Sequence, residues 1–338
     1  MPISSDSNAK DQGTYEKIIT HNDFDGMVSA SICARVLRAE KLIFTGPLTI
    51  TRSQISITDK DVVCDLPYPL ECGLWFDHHA GNLQELQYRG IDPGSIPGRF
   101  DLKPSCSRVV YEFFSEKMAL PLYFLEAVEE ADIIDSFAYS SIEDWRKETP
   151  GKVIDLTLKA SFSSTDEHFQ YMRNLVQQLR DRSIEEVGRL VFVQKRLRQY
   201  REEEGRMLKI IRDASLFLGD DQRRELVIID LTSYQRRPHL IRNLAWLIYP
   251  DSLGVLEIYN LLNQRVKTNN LGFSMSLSIN ANKEKRNKDV GEIMRTLNIG
   301  DGHPGAAAGT LACKSKQEML RRKQELSNQI FKLWSQQQ

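Results

Sequence analysis

Short apolar runs alternate with stretches of helical period over the first third of the chain. The runs at 15–20, with Ile18 and Ile19, at Val62 and Val63, and from Leu74 to Phe76 have strand length and no polar interruption. Residues 27–39 and 122–134 repeat apolar side chains at helical spacing instead. Val109, Val110 and Phe113 continue a third helical pattern, for which Ser105 or Ser107 is a fitting N-cap. Strands alternating with helices predict a doubly wound parallel sheet, an α/β domain over residues 1–165. From 166 to 218 the pattern changes. Phe169, Met172, Leu175 and Leu179, then Val187, Leu190, Leu197 and Tyr200, keep helical spacing in a background of Arg, Glu and Gln, which predicts a helical connector whose flexing would open and close two lobes. Beyond it, strands are expected at 225–231, 254–259 and 272–279 and helices at 240–248 and 290–297. These make a second α/β domain, residues 219–338. From about Lys314, Met319, Leu326, Ile330 and Trp334 fall at helical spacing, which reads as packing or as the contact of a homodimer.

Each of the three apolar runs ends in metal-binding chemistry. The first is followed by His21, Asp23 and Asp25, the second by Asp65, and the third by Asp77, His78 and His79. Three strand ends of one parallel sheet can aim their donors into a single crevice. Carboxylates mixed with imidazoles and lacking thiolate suit manganese or magnesium better than a closed structural zinc. Asp23 and Asp25, two apart, would face one side in extended geometry, so neighbouring carboxylates would serve neighbouring metals. Two metals held that way clamp the attacking and leaving oxygens of a phosphoester. Taken singly the clusters also have plainer readings, because Asp25-Gly26 suits a turn and Asp65 before Leu66-Pro67 suits a strand exit. Adjacent imidazoles behind an acid on an apolar strand are harder to dismiss, since they waste sheet propensity.

His21-x-Asp23-x-Asp25-Gly26, then Asp65, then Asp77-His78-His79 resemble the first three motifs of the DHH phosphoesterase superfamily, in that family's order. The segment Glu130-Ala131-Asp132-Ile133-Ile134-Asp135 supplies the aspartate of a fourth motif, with Asp132 as the choice and Asp135 as the rival. Residues 300–309 are similar to the glycine-histidine signature of the DHH-associated C-terminal domain. The resemblance implies two divalent ions, manganese first and magnesium second. His21, Asp23 and Asp65 would hold one, and Asp25, Asp65, His78 and Asp132 the other, with a shared water attacking phosphorus. It also implies that His79 contacts phosphate or protonates the leaving alkoxide, that Asp77 orients an imidazole, and that Gly300, Gly302 and His303 cradle substrate phosphate; Arg295, from its charge, is a further substrate-binding candidate. In two places the chain departs from the pattern: Asp301 stands where a third glycine is usual, and Met275-Ser276-Leu277-Ser278 replaces a strand that often carries a substrate-binding arginine. The expected activity is hydrolysis of short oligonucleotides, linear dinucleotides or nucleoside bisphosphates. An exopolyphosphatase, a RecJ-type single-strand exonuclease and a non-catalytic phosphate-ligand binding protein are the alternatives.

Composition narrows the substrate more than the fold. With 338 residues, 41% of them hydrophobic, the chain can build two cores. Its net charge of -1 argues against a long nucleic-acid track, which needs a basic stripe, and favours a short nucleotide or another small phosphorylated partner. Arg236, Arg237, Arg242 and Arg295 are the residues from which a local basic pocket could be built. The five cysteines show no CxxC spacing, as expected of buried thiols in a reducing compartment. Residues 1–14 are polar, without the apolar core of a signal peptide, and no membrane span is apparent, so a cytoplasmic location is expected.

Overall fold

The computed structural model describes residues 15–283 and 287–337; the polar first fourteen residues lie outside the described residues. In chain order the elements are β1 (Lys17–His21), α1 (Phe24–Leu37), β2 (Lys41–Thr45), α2 (Pro47–Thr51), β3 (Asp61–Cys64), β4 (Leu74–Asp77), α3 (Ala80–Tyr88), β5 (Gly98–Phe100), α4 (Cys106–Ser115) and α5 (Leu122–Asp135). Then come α6 (Ile142–Arg146), α7 (Pro150–Lys159), α8 (Thr165–Leu179), α9 (Ile184–Gly188), α10 (Val191–Ala214), β6 (Ser215–Leu216), β7 (Leu226–Asp230), β8 (Gly254–Asn263) and β9 (Val266–Leu277). Finally come α11 (Ile279–Lys283), α12 (Val290–Thr296), β10 (Gly300–His303), β11 (Ala306–Leu311) and α13 (Lys316–Gln336).

Two compact units divide the chain. The first comprises residues 1–138 and 148–200, the second 139–147 and 201–338. In the first, a parallel sheet runs in the order β2-β1-β3-β4-β5. Successive residues of its strands enter opposite cores: Ile18, Val62 and Phe76 pack with α1, α4 and α5, whereas Ile19, Val63 and Trp75 pack with Ile50 of α2 and Leu86 of α3. Both faces are covered, which is why these strands read as unbroken apolar runs. After β1 the chain pairs β2 on one side and β3 on the other, so the strand order reverses between β1 and β3. Such a reversal is where open α/β sheets place a crevice, at the carboxyl ends of the strands.

The stretch expected to be a separate connector is divided. Met172, Leu175, Val176 and Leu179 of α8 and Ile184 and Val187 of α9 are buried in the same core as α1, so these helices form a layer of the first unit. An apolar stripe this complete demands a partner surface. Of these helices, α10, 24 residues long, is the one that passes from the first unit into the second. Residues 139–147 fold with the second unit, where Trp145 meets Trp246 edge-on at 5.8 Å.

That unit holds a six-stranded sheet in the order β10-β11-β9-β8-β7-β6, parallel between β7 and β8 and antiparallel elsewhere. Leu256, Ile258, Phe273 and Met275 face α12 and α13, whose Ile293, Met319, Leu326, Ile330 and Trp334 complete the core. The expected helix at 240–248 is a single 3-10 stretch, Arg242–Leu247. Pro238 and Pro250 bracket it too closely for more. The strand expected at 272–279 starts earlier, at Val266, because Gln264 and Arg265 take φ of 47° and 67° and close a two-residue hairpin onto β8.

Two glycines give opposite predictions. A Cβ on Gly26, in the first turn of α1, would lie 2.3 Å from the carbonyl oxygen of His21, so this close approach of helix to strand end excludes any other residue. Gly26→Ala is expected to cost on the order of 2 kcal/mol or more in urea unfolding, with the loss arising from a forced backbone shift. Gly205, inside α10, has open space where a Cβ would project, and Gly205→Ala is expected to gain roughly 0.5–1 kcal/mol in the same measurement.

Candidate metal centre

Asp65 lies one residue past β3 with φ of 58°, the left-handed region that few residues other than Gly, Asn and Asp adopt without strain. Its amide still donates to the Phe76 carbonyl at 2.9 Å, so the turn is continuous with the sheet. This conformation carries the carboxylate into the crevice, where it is 2% exposed. Both of its oxygens, and Nε2 of His78, are buried without a hydrogen-bond partner. Uncompensated burial of such atoms is costly. A cation between them would satisfy all three.

Three groups of side chains place ligand atoms close enough to share an ion: His21, Asp23 and Asp65; Asp25, His78 and Asp135; and Asp65, His78 and His79. His21 ends β1, and its Nδ1 lies 2.5 Å from Asp23 Oδ2 and 3.5 Å from Asp65 Oδ2. His78 Nε2 lies 3.4 Å from Asp135, 3.6 Å from Asp65 and 4.0 Å from Asp25. Nδ1 of His78 donates to the Lys103 carbonyl at 2.9 Å, an outer contact that fixes the ring and leaves Nε2 toward the acids. Asp65 thus borders two of these constellations on its two oxygens. The donors, carboxylate and imidazole alone, fit a divalent cation of the magnesium and manganese type.

Asp23 and Asp25 reach this arrangement differently from the extended geometry expected of them. Asp23 is the N-cap of α1, accepting from the Gly26 amide at 2.9 Å, and turns its other oxygen to His21. Asp25 already lies inside the helix and faces α4, where it accepts from the amides of Cys106 at 2.7 Å and Ser107 at 2.8 Å. The start of α4 is therefore an anion site occupied by a protein carboxylate.

At the fourth motif it is Asp135, the rival, and not Asp132 that the structure brings to the cluster. Asp132 accepts from Ser105 Oγ at 2.6 Å and from Arg108 at 2.6 and 2.9 Å, and belongs to no ligand group among the described residues. Asp135 is the carboxylate that approaches His78. Three residues later on α5, it is rotated about 60° around the helix, enough to exchange an arginine for the crevice. Asp77 is fully buried, accepts from Asn82 at 2.7 Å and lies 2.9 Å from His79 Nδ1.

Titration within the cluster records its crowding. Burial lowers the His21 and His78 imidazoles, but Asp23 and Asp65 outweigh it at His21, lifting it to about 11, and Asp65 with Asp25 lifts His78 to about 10. Burial raises Asp65, yet His21 and His78, approaching at the limit of hydrogen-bond reach, hold it at about 2. Burial and then the charges of Asp65 and Asp23 push Asp135 up to about 6; burial and then Asp65 and Asp135 push Asp25 well up. Protonated imidazoles are the internal counter-ions of these acids.

The remaining candidates lie in the second unit. Gly300 and Gly302 are in β10, where a Cβ would lie 2.0 Å from the Ala308 carbonyl oxygen and 2.4 Å from that of Ala306, so both allow β11 its close pairing. His303 ends β10 and is exposed. Arg295, on α12, pairs with Asp301 at 2.8 Å and with Glu292 at 3.3 Å, so the Asp301 charge between the glycines is neutralised within the unit. Ser276, on the strand that lacks an arginine of its own, accepts instead from Arg242 of the 3-10 stretch at 2.6 Å. Arg237 pairs with buried Glu257 at 2.7 Å.

No family model and no curated protein matches the sequence. Solved structures do. A pGpG-specific phosphodiesterase from Vibrio cholerae is similar at a TM-score of 0.70 and 22% identity, over 93% of this chain and 98% of that one. A DHH domain from a member of a family of ribosomal proteins follows at 0.57 and 12%, over 95% of this chain and 86% of that one. RecJ from Thermus thermophilus in complex with Mn2+ is similar at 0.54 and 13%, over 96% of this chain and 52% of that one. At these identities the likeness is one of fold, and the chain has the fold of DHH proteins.

A cation entering this site must displace protons from His21 and His78, both charged below their values of about 11 and about 10. Mn2+ binding is therefore expected to release protons at pH 7 and to tighten as pH rises from 6 to 9. Calorimetry in buffers of different ionisation enthalpy checks this; an affinity independent of pH would contradict it.

Proposed function

We propose that the chain is a phosphoesterase with a two-ion centre, manganese preferred, that hydrolyses short oligonucleotides and linear dinucleotides. One observation carries the reading. A buried carboxylate, Asp65, keeps both oxygens uncommitted between two constellations of ligands. His21, Asp23 and Asp65 would hold one ion, and Asp25, Asp65, His78 and Asp135 the other. Bound there, the ions would supply a water activated at neutral pH and offset the charge that develops on phosphate. Fold likeness to the pGpG-specific phosphodiesterase supports the dinucleotide substrate, and the manganese in RecJ supports the metal.

The chain's own groups orient and move protons. Lys103 and Asp77 each engage an Nδ1, the first of His78 and the second of His79, and so fix which nitrogen of each ring remains for chemistry. His79 is half-exposed, unlike His78, and is suited to protonate the leaving alkoxide from Nε2. In the second unit, His303, the β10 backbone and Arg242 are the groups proposed to bind phosphate. A net charge of -1 fits a grip confined to a few phosphates.

Assays with Mn2+ on a linear dinucleotide, a nucleoside bisphosphate, polyphosphate and a longer single strand test the reading. The dinucleotide is expected to turn over fastest. Tight binding of any of them without turnover would make the chain a phosphate-ligand binding protein instead. Asp65→Ala is expected to abolish ion binding and lower kcat/KM by about 1,000-fold or more with the circular dichroism spectrum unchanged, a loss of several kcal/mol of transition-state stabilisation. Retained activity would remove Asp65 from the centre.

A further inference from the structure

The first turn of α4 does two jobs. The amides of Cys106 and Ser107 hold the two oxygens of Asp25, while Ser105, the N-cap, accepts from the Arg108 amide at 3.1 Å. From the same turn, the Ser105 hydroxyl donates to Asp132 Oδ1 at 2.6 Å, and the Arg108 guanidinium donates through Nε and Nη2 to Asp132 Oδ2 at 2.9 and 2.6 Å. Asp132 thus collects three bonds from one helix start. It lies one turn before Asp135 on α5.

We infer that Arg108 and Asp132 are a positioning pair, which clamps the start of α4 to α5 and thereby sets the separation of Asp25 and Asp135 across His78. Neither residue belongs to a ligand group among the described residues. Both are partly buried, with side chains 19% and 17% exposed, where a charge-assisted arginine-carboxylate contact is stronger than at an open surface. Among the described residues, the polar bonds from that turn to α5 end on Asp132, since Ser105 and Arg108 donate to it and the amides of Cys106 and Ser107 are committed to Asp25. Outer contacts of this kind tune metal affinity by about 10- to 100-fold. The inference rests on reading the cluster as a metal centre and not on which phosphoester is cleaved.

The test measures Mn2+ binding to the full chain by calorimetry without substrate, and then kcat and KM for a linear dinucleotide at limiting and saturating Mn2+. Arg108→Ala and Asp132→Ala are each expected to weaken one of two ions by about 10- to 100-fold, and the double variant to be no worse than Asp132→Ala, which already removes the arginine contact together with the bond from Ser105. At saturating Mn2+ the KM should be unchanged and kcat largely restored. Where an alanine variant fails to fold, Arg108→Lys and Asp132→Asn carry the same test at nearly constant volume, with smaller losses expected. Unchanged ion affinity in both singles would overturn the inference. So would loss of an ion in Asp132→Ala alone, which makes Asp132 a ligand, or a raised KM with intact ion affinity in Arg108→Ala, which makes Arg108 a substrate contact. Because ion binding is read without turnover, failure of the phosphoesterase reading leaves this result interpretable.

Discussion

A buried carboxylate whose oxygens find no donor is the constraint around which the first unit is arranged. Asp65 is brought to its place by the end of β3 and by a left-handed backbone conformation, and the groups around it leave its two oxygens without a hydrogen bond of normal length. His21 and His78 come no nearer than 3.5 and 3.6 Å. At that spacing they attract the charge without quenching the lone pairs. Protons on the imidazoles make the metal-free cluster tolerable, and cations would make it favourable.

The strand ends and helix starts around that carboxylate hold its neighbours in place. Parallel pairing of β1, β3 and β4 aligns three strand ends, so residues 21, 65 and 78 converge although they lie far apart along the chain. Helix starts do the finer work. The N-cap of α1 turns Asp23 toward His21, and the start of α4 holds Asp25 by two amides, so two neighbours in sequence serve different constellations. Partial positive charge at a helix start is an ordinary asset for binding anions. Here it holds a protein carboxylate, Asp25, so these amides are not free for a substrate phosphate.

Much of the first unit is legible in the sequence because its strands are buried on both faces and end abruptly in acid or imidazole. Ile18-Ile19 followed by His21, and Leu74-Trp75-Phe76 followed by Asp77-His78-His79, announce both the strand and its business end. The choice between Asp132 and Asp135 is not legible. It depends on a rotation of about 60° around α5 and on Arg108, which lies on another helix, and helical period alone does not orient a helix whose polar positions lie on several sides. The extent of the first unit is obscured as well, since α8 and α9 carry charged outer faces that resemble a solvated connector while their stripes fill the core. In the second unit, the β8-β9 hairpin is hidden because Gln264 and Arg265 hold left-handed conformations that sequence normally advertises with Asn or Gly. The guanidinium at Ser276 is hidden because it comes from Arg242, 34 positions earlier.

If Asp65 joins two cation positions, the ions themselves must lie on either side of it. Anomalous scattering from crystals grown with Mn2+ locates them without recourse to activity. Two peaks roughly 3.5–4 Å apart, the spacing usual in two-metal sites, are expected, with a different Asp65 oxygen directed at each and Asp135 at the one shared with His78. A single peak, or a peak held by Asp132, would contradict the bridging role of Asp65 or the place of Asp135 beside it.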